Sequence, residues 1–285
     1  MLCVDSTDDW TEAAALTVSL ADVDTKVRIV GLLKNGRAMI PHAPLAFFNA
    51  IAAHVRLQRG VEASIDRARG FLQSAGIDVN TFVADLFESG GDAAHALTRA
   101  AQTWRADLMM LAARRHMGIL QWTERTTRDA ADMAHCSMQV LPAPPARFET
   151  ARPCRLLCAV DGSPVSLASL RAGLKIAGPG AQVQAIYVID RSARATDAAS
   201  TTSLQEAFFE EGQSALAKAR TVFSETWCAQ DFAFDAALVR TDETGDDVAH
   251  AIVHGAARWN ADAILMGKER SRAGYSGLCP DAWPN

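Results

Sequence analysis

The chain has 285 residues, of which 49% are hydrophobic and 21% are charged, an ordinary globular composition that is long enough for two domains. The net charge of −5 is spread along the sequence without a basic cluster, which argues against nucleic acid or an anionic membrane as a partner. No segment approaches the roughly 18 apolar residues of a membrane span, and the first residues lack the basic and apolar regions of a signal peptide. We therefore expect a cytoplasmic protein.

The six cysteines form no CxxC pair and no disulfide-rich pattern, which predicts a reducing compartment. Cys154 and Cys158 are candidate metal ligands, but Cys158 lies in an apolar run, where cysteine behaves as a small hydrophobic residue. His250 and His254 lie four residues apart on a predicted helix, a spacing suited to two metal ligands, but no third ligand accompanies them in the sequence. We expect no metal site.

The first half of the chain alternates between apolar runs and amphipathic segments. Leu2 to Ala21 predicts a short strand that ends at Asp5 and is followed by a helix. The further predicted elements are strands at Lys26 to Leu33, Val79 to Phe87, Leu108 to Ala112 and Met138 to Leu141, and a long helix around Pro44 to Ser74. Strands that alternate with helices favour a parallel sheet with right-handed crossovers.

A proline-rich segment divides the chain. Pro142 to Pro153 contains four prolines and predicts a stiff, extended linker. It separates two predicted domains, at residues 1–141 and 154–285.

The second half begins with the most informative stretch, Leu156 to Ala177. Its first five residues suit a strand buried on both faces, and this strand ends at Asp161. Gly162 permits a sharp turn, and Ser163 is suited to cap the helix that follows. In open α/β sheets, ligands bind at this place, beyond the carboxyl end of a strand and beside a helix N-terminus.

The rest of the second half repeats the alternation of strands and helices. Its predicted elements are strands at Gln182 to Ile189, Phe232 to Val239 and Ala263 to Met266, and a helix around Leu204 to Thr226. The segment from Asp190 to Ser203 has little apolar content and is predicted as a mobile loop over the ligand edge.

The two halves are predicted to be copies of one unit. Asp5 aligns with Asp161 in the two strand, turn and helix segments that open the copies. Near the end of each copy, the segment GDAAHALTRAAQTWRADLMMLA aligns with GDDVAHAIVHGAARWNADAILMG, which pairs Trp104 with Trp259. The sequence therefore predicts a tandem repeat.

Two segments of the second copy resemble the universal stress protein family. The segment CAVDGSPVSLASLRAGLKIA is similar to the family's opening strand, which ends in Val-Asp-Gly-Ser before a helix. The segment HAIVHGAARWNADAILMG is similar to its later helix and to a strand that ends in Met-Gly. The resemblance implies two doubly wound, Rossmann-like α/β domains with parallel strands in the order 3-2-1-4-5. It also implies a regulatory or protective role in the response to stress.

The resemblance further implies which residues would hold ATP. Family members that bind ATP use the acidic residue after the first strand, backbone groups of a valine in the second strand, and a loop with glycines at set spacings. The matching positions in the second copy are Asp161, Gly162, Ser163, Val188 and Gly267. Arg270 stands where the second loop glycine is expected. If Arg270 folds toward Asp161, its guanidinium replaces backbone contacts to phosphate; if it points to solvent, the site is empty.

The first copy departs further from that pattern. Ala112 and Arg115 stand where loop glycines are expected, and Asp8 and Asp9 would repel a phosphate at the start of the first helix. The segment Arg114 to His116 offers cationic side chains to an anion instead. We interpret the first copy as a degenerate one that is kept for its fold and for packing against the second.

The second copy ends soon after Gly274 without a predicted fifth strand, whereas the first copy has one at Met138 to Leu141. In the family that the chain resembles, this strand is commonly an edge where two domains pair. We therefore predict a second sheet that lacks its last strand and has an edge open to self-association with another chain. An intramolecular pseudo-dimer of the two copies is the alternative.

Three functions are consistent with these features. The first is a universal stress protein-like factor that binds ATP in its second copy. The second is a scaffold of the same fold that binds no nucleotide and acts through protein contacts. The third is an enzyme such as an ATPase, which needs a placed general base or a metal, and the sequence offers no such group beyond Asp161.

Overall fold

The computed structural model describes residues 1–5, 10–33, 46–86, 92–112, 124–141, 152–190, 198–227, 233–241 and 247–268. Over these residues the chain forms two α/β units, each with one parallel sheet. No helix in the described part is long and apolar enough to cross a membrane.

The first unit has five strands and four helices within the described residues. They are β1 (Leu2–Val4), α1 (Thr11–Leu20), β2 (Lys26–Leu33), α2 (Ala46–Ser74), β3 (Asp78–Asp85), α3 (Ala93–Trp104), β4 (Leu108–Ala112), α4 (Glu124–Met133) and β5 (Ser137–Leu141). Two predicted end residues, Pro44 and Phe87, lie outside the described residues, and so does most of the predicted linker.

The second unit has four strands and three helices within the described residues. They are β6 (Arg155–Ala159), α5 (Pro164–Ile176), β7 (Gln182–Ile189), α6 (Ala198–Thr226), β8 (Ala233–Arg240), α7 (Val248–Trp259) and β9 (Ala263–Met266). The prediction of a loop up to Ser203 was wrong, because α6 begins at Ala198. The helical turn around Phe208 packs against the core. Each residue added to the helix before this turn gains a backbone hydrogen bond, so the polar segment from Ala198 to Ser203 is helical as well.

The strand order confirms the predicted fold class. The first sheet has the order β3-β2-β1-β4-β5, which is 3-2-1-4-5 within the unit, and its neighbouring strands are parallel. The second sheet has the order β8-β7-β6-β9, which is the same order without the last strand among the described residues. Residues 269–285, which follow β9, lie outside the described part. Each unit is thus a doubly wound, Rossmann-like sheet with helices on both faces.

The central strands form the core, as their unbroken apolar runs predict. In β6, Leu156, Leu157 and Cys158 are at most 1% exposed, and their side chains alternate between the two faces of the sheet. One face packs against α5 and α6, and the other packs against α7. This arrangement fixes the carboxyl end of β6, where the predicted site lies.

In each unit a glycine lets the long helix pack closely against the second strand, but the glycine is on the strand in the first unit and on the helix in the second. In the first, Gly31 on β2 makes room for Val61 and Ile65 on α2, because a Cβ at Gly31 would lie 2.5 Å from each of these side chains. In the second, the strand has the large residue, Tyr187 on β7, and the helix has Gly212, whose Cβ would lie 2.7 Å from the ring. The helix therefore packs closely on its strand in both units, although the small and the large residues have changed places between helix and strand.

Polar contacts join the units, and two of them involve described residues at both ends. Arg152 Nε, just before β6, donates to the carbonyl oxygen of Ser19 near the end of α1 at 2.6 Å. Lys268, just after β9, forms an ion pair with Asp132 on α4. Both contacts place a cation of the second unit against a carbonyl or carboxylate oxygen of the first.

Candidate functional site

The candidate site lies where β6 leaves the second sheet. Asp161 follows the strand and is exposed to solvent, and Gly162 has φ +77°, a left-handed conformation that favours glycine. The backbone N–H of Ser163 donates to Asp161 Oδ1 at 2.9 Å. Ser163 Oγ in turn accepts from the N–H of Ser166 at 3.2 Å, so Ser163 is the N-cap of α5, as the sequence predicts.

These contacts fix the charge of Asp161. Burial acts to raise the pKa of the carboxyl, but hydrogen bonds from Ser163 and Ser166 outweigh it and hold the pKa below its ordinary value. The group is therefore a carboxylate at neutral pH. Its exposure leaves oxygen lone pairs open to a hydroxyl or amino group of a ligand.

Lys218 on α6 brings a cation to the same turn. A Cβ on Gly162 would lie 3.1 Å from Ala215 Cβ and 3.7 Å from Lys218 Nζ, so α6 packs directly against the turn. Among the described residues, no hydrogen bond or ion pair engages Lys218. Asp161 and Lys218 therefore both lie next to Gly162 of the turn and form no ion pair with each other.

Our sequence analysis missed Lys218, because its place beside the turn depends on how α6 packs against Gly162. Buried positions in α2 and α6 share one spacing, so the two helices can be aligned by their burial; the positions are Val61, Ser64, Ile65 and Ala68 in α2, and Gly212, Ala215, Leu216 and Ala219 in α6. This alignment pairs Lys218 with Arg67, whose Nη2 donates to Ser64 Oγ at 3.2 Å. Both copies therefore have a cation three residues after an equivalent buried residue, which is Ser64 in α2 and Ala215 in α6.

Tyr187 on β7 lies behind the turn. Burial raises the pKa of the phenol, and the nearby carboxylate of Glu211, to which Tyr187 is hydrogen bonded, raises it further, with a smaller contribution from Asp161. Tyr187 is 8% exposed, so it belongs to the core beneath the turn, close enough to Asp161 to be affected by its charge. The phenol is a neutral donor at physiological pH.

Val188 directs its backbone toward the end of β6. Alternate residues of a strand turn their N–H and C=O groups to opposite neighbours. Val160 N–H donates to the Ile186 carbonyl at 2.9 Å, and Thr241 N–H donates to the Ile189 carbonyl at 3.1 Å, so Ile186 faces β6 and Ile189 faces β8. Val188 therefore faces the side of β6, where that strand ends at Ala159 and the chain turns away.

Gly267, directly after β9, lies against the first turn of α5. A Cβ on Gly267 would lie 2.5 Å from the backbone N of Ser166 and 2.7 Å from the carbonyl carbon of Val165. The end of β9 thus approaches the helix so closely that only glycine fits. The structure places Gly267 beside the Ser163 cap, whereas Arg270 lies outside the described residues.

The equivalent position in the first unit differs. Asp5 is 6% exposed, so its carboxylate is far less accessible than that of Asp161. Helix α1 begins after Trp10, which makes no side-chain capping bond. Asp8, Asp9, Arg115 and the segment Arg114 to His116 lie outside the described residues.

The candidate metal ligands are engaged in other ways. Burial raises the pKa of the Cys158 thiol to about 12, so this residue is a protonated core side chain at neutral pH. His250 Nδ1 lies 2.9 Å from Asp247 Oδ1, at the N-cap of α7. In the parts of the chain that the structure describes, no three His, Cys, Asp or Glu side chains form a group that could hold a metal ion.

Comparisons with known proteins agree with the observed fold. The model of the universal stress protein family matches residues 154–278. A universal stress protein from Archaeoglobus fulgidus DSM 4304 has a similar structure over 92% of this chain and 82% of its own, with a TM-score of 0.56 and 12% sequence identity, which supports the fold alone. No curated protein matches the chain.

Two further solved structures align with a smaller part of the chain. A protein of the universal stress protein family from Burkholderia pseudomallei is 27% identical, with a TM-score of 0.34, over 40% of this chain and 81% of its own. A universal stress protein solved in complex with cAMP is 17% identical, with a TM-score of 0.26, over 40% of this chain and 75% of its own. The segment 154–278 is therefore similar to the universal stress protein family, and the observed topology agrees with that match.

Proposed function

We propose that the second unit binds an adenine nucleotide, ATP, beside Asp161, and that the chain acts as a regulatory or protective factor in the response to stress. The observation that carries the proposal is that the carboxylate of Asp161 and the ammonium of Lys218 both lie next to Gly162, at the carboxyl end of a central parallel strand. Ligands of open α/β sheets bind at this edge. A nucleotide offers hydroxyl groups to the carboxylate and phosphate oxygens to the ammonium.

The neighbouring backbone suits the base of the nucleotide. Val188 turns its N–H and C=O toward the space past the end of β6, and these groups are one donor and one acceptor. Adenine presents a donor and an acceptor on one edge, so two hydrogen bonds to Val188 are expected. We expect Gly162, Ser163 and Gly267 to shape the turn, and Arg270 remains a predicted phosphate ligand.

The site is better suited to binding than to hydrolysis. A general base works best when its pKa lies near the operating pH, whereas the pKa of Asp161 is held below that of an ordinary aspartate. A carboxylate of this kind accepts a proton weakly. We therefore propose a nucleotide-binding protein and not an ATPase.

Isothermal titration of the full chain with ATP tests the proposal. We expect saturable binding by the wild type, and binding about tenfold or more weaker in Asp161→Asn and in Lys218→Gln, because each loses a charge-assisted hydrogen bond of about 1.5–3 kcal/mol. Asp24→Asn, an exposed carboxylate in the first unit, is the matched control and should bind as the wild type does. ADP and AMP show whether the Lys218 effect depends on phosphate.

The absence of heat and of a thermal shift at millimolar ATP would contradict the proposal and favour the scaffold that binds no nucleotide. One observation favours that second function. The space beside Gly267 that a loop glycine would leave for phosphate is filled by the backbone of α5. In either case we expect a cytoplasmic protein whose two units pack as a tandem pair through Arg152 and Lys268.

A further inference from the structure

Lys268 follows β9 at the same edge of the second sheet as Asp161. In the parallel register of β6 and β9, the last residues of the two strands, Ala159 and Met266, lie opposite each other. Two residues further along each chain, this register brings Lys268 level with Asp161. The sheet therefore delivers a lysine to the edge where the carboxylate of Asp161 lies.

The ammonium of Lys268 is engaged by the first unit. It forms an ion pair with Asp132 on α4, and both side chains remain partly exposed. Helix α4 is itself fixed, because Ala130 is fully buried and Met133 packs against the same cluster as α3. A carboxylate on a packed helix of one unit thus holds the lysine that the other unit places level with Asp161.

The candidate site lacks positive charge for a triphosphate. Asp161 is ionised at neutral pH, and a second carboxylate, that of Glu211, is hydrogen bonded to Tyr187 beneath the turn. One ammonium, that of Lys218, lies beside these two carboxylates. Two negative charges oppose the approach of a polyanion unless a further cation offsets them, and Lys268 is placed to do so.

The backbone at this place leaves no room for a phosphate group. A Cβ on Gly267 would already lie 2.5 Å from Ser166 N and 2.7 Å from the carbonyl carbon of Val165. A contact to phosphate from this part of the chain must therefore come from a side chain. Lys268 has a flexible four-carbon stem and three N–H donors, so it can reach a phosphate from outside the close contact.

We propose that Lys268 exchanges partners, pairing with Asp132 in the free chain and with a phosphate group of the nucleotide in the bound chain. This inference rests on the proposed nucleotide site and adds its regulation. Asp132 competes with phosphate for one ammonium, so the first unit lowers the affinity of the second for nucleotide. By linkage, bound nucleotide weakens the Lys268 contact between the units, whereas the contact of Arg152 with Ser19 stays.

Isothermal titration of the full chain with ATP tests the competition. We expect Asp132→Asn to bind ATP about two- to fivefold more tightly, because an exposed ion pair no longer has to be broken. Lys268→Gln should bind about fivefold or more weakly, because it loses a charge-assisted contact with phosphate. In the double variant, Asp132→Asn should add nothing to Lys268→Gln, since without the lysine there is no competition.

Two matched controls measure the effect of charge alone. Asp66→Asn removes an exposed carboxylate of α2 that pairs with Arg69 on the same helix. Lys175→Gln removes an exposed lysine in the last turn of α5, at the opposite end of that helix from the site. Both variants should bind ATP as the wild type does, and circular dichroism of all variants confirms that they fold.

Zero-length cross-linking tests the exchange itself. A carbodiimide joins a carboxylate to a lysine through an amide bond only when the two groups are in contact. We expect a link between Asp132 and Lys268 in the free wild type, identified by mass spectrometry, and a lower yield when ATP fills the site. The weakly binding variant Asp161→Asn controls for reaction of the carbodiimide with ATP, and its link should form with and without nucleotide.

Two results would overturn this inference and leave the nucleotide site in place. One is an affinity for ATP in Asp132→Asn within twofold of that of Asp66→Asn, or a gain that persists in the Lys268→Gln background. The other is a link between Asp132 and Lys268 that is absent in the free chain or unchanged by ATP. If no variant binds ATP, Asp132→Asn included, the nucleotide site itself fails and this inference fails with it.

Discussion

The close approach of β9 to α5 gives a sharp prediction at Gly267. A Cβ at this position would lie 2.5 Å from Ser166 N and 2.7 Å from the carbonyl carbon of Val165, and both are backbone atoms of the first turn of α5. Backbone cannot rotate away as the tip of a side chain can, so either the strand end or the helix must move. Overpacking of a core commonly costs about 1–3 kcal/mol. We expect Gly267→Ala to lower the free energy of unfolding of the second unit by about 3 kcal/mol, the upper end of that range.

The assay is urea unfolding followed by tryptophan fluorescence, with hydrogen exchange of α5 as a local readout. Gly70→Ala is the matched control, because Gly70 lies inside α2 and a Cβ there would contact nothing within 4 Å. Alanine is the better helix former, so we expect this control to gain about 0.5–1 kcal/mol. A change below about 0.5 kcal/mol in Gly267→Ala, the size of an ordinary surface substitution, would refute the packing argument.

Three further predictions concern other parts of the chain. Gly31→Ala should cost about 1 kcal/mol, less than Gly267→Ala, because its Cβ meets flexible ends of Val61 and Ile65 and not backbone, and equal losses in urea unfolding would contradict this. The pKa of Asp161 is lowered in the folded protein, so its carboxylate stabilises the fold above its ordinary pKa of 3.8 and this contribution is lost as the pH falls below that value. The difference in urea midpoint between wild type and Asp161→Asn should therefore shrink in acid, and a difference that is constant with pH would show that no such linkage exists. Burial raises the pKa of Cys3 and of Cys158 to about 12, so a thiol reagent at pH 8 should label them only on unfolding, and rapid labelling of the native chain would contradict their burial.

The features that the sequence predicts well are those that short apolar runs determine. β6 is a run of apolar residues bounded by a polar residue and a glycine, so its end at Asp161 and the cap at Ser163 follow from local chemistry. The strand order follows from the family resemblance and not from any local pattern. The start of α6 was missed because its first residues are polar and the helix is extended from a distant packed turn.

Other features depend on distances that the sequence does not contain. The sequence predicts Gly267 as a loop glycine, but its neighbours in space are backbone atoms of α5, about a hundred residues earlier in the chain. Lys218 lies in the middle of an exposed helix face, and only the packing of Ala215 on Gly162 brings it to the turn. Similarly, Ile264 and Met266 read as core residues of a strand, and their exposure depends on which elements stand beside β9.

The two copies differ in where the first helix begins after the central strand of the sheet. After β6, Gly162 has a positive φ and α5 begins at Pro164, so Asp161 stays at the surface. There it accepts hydrogen bonds from the Ser163 N–H and from the hydroxyl groups of Ser163 and Ser166. After β1, the next helix begins only at Thr11, behind a buried Trp10, and Asp5 is enclosed. An enclosed carboxylate cannot meet a nucleotide without opening the core, whereas an exposed one that is already ordered loses little freedom on binding. For this reason our proposal places one nucleotide on each chain, and a measured stoichiometry of two would require the first copy to open.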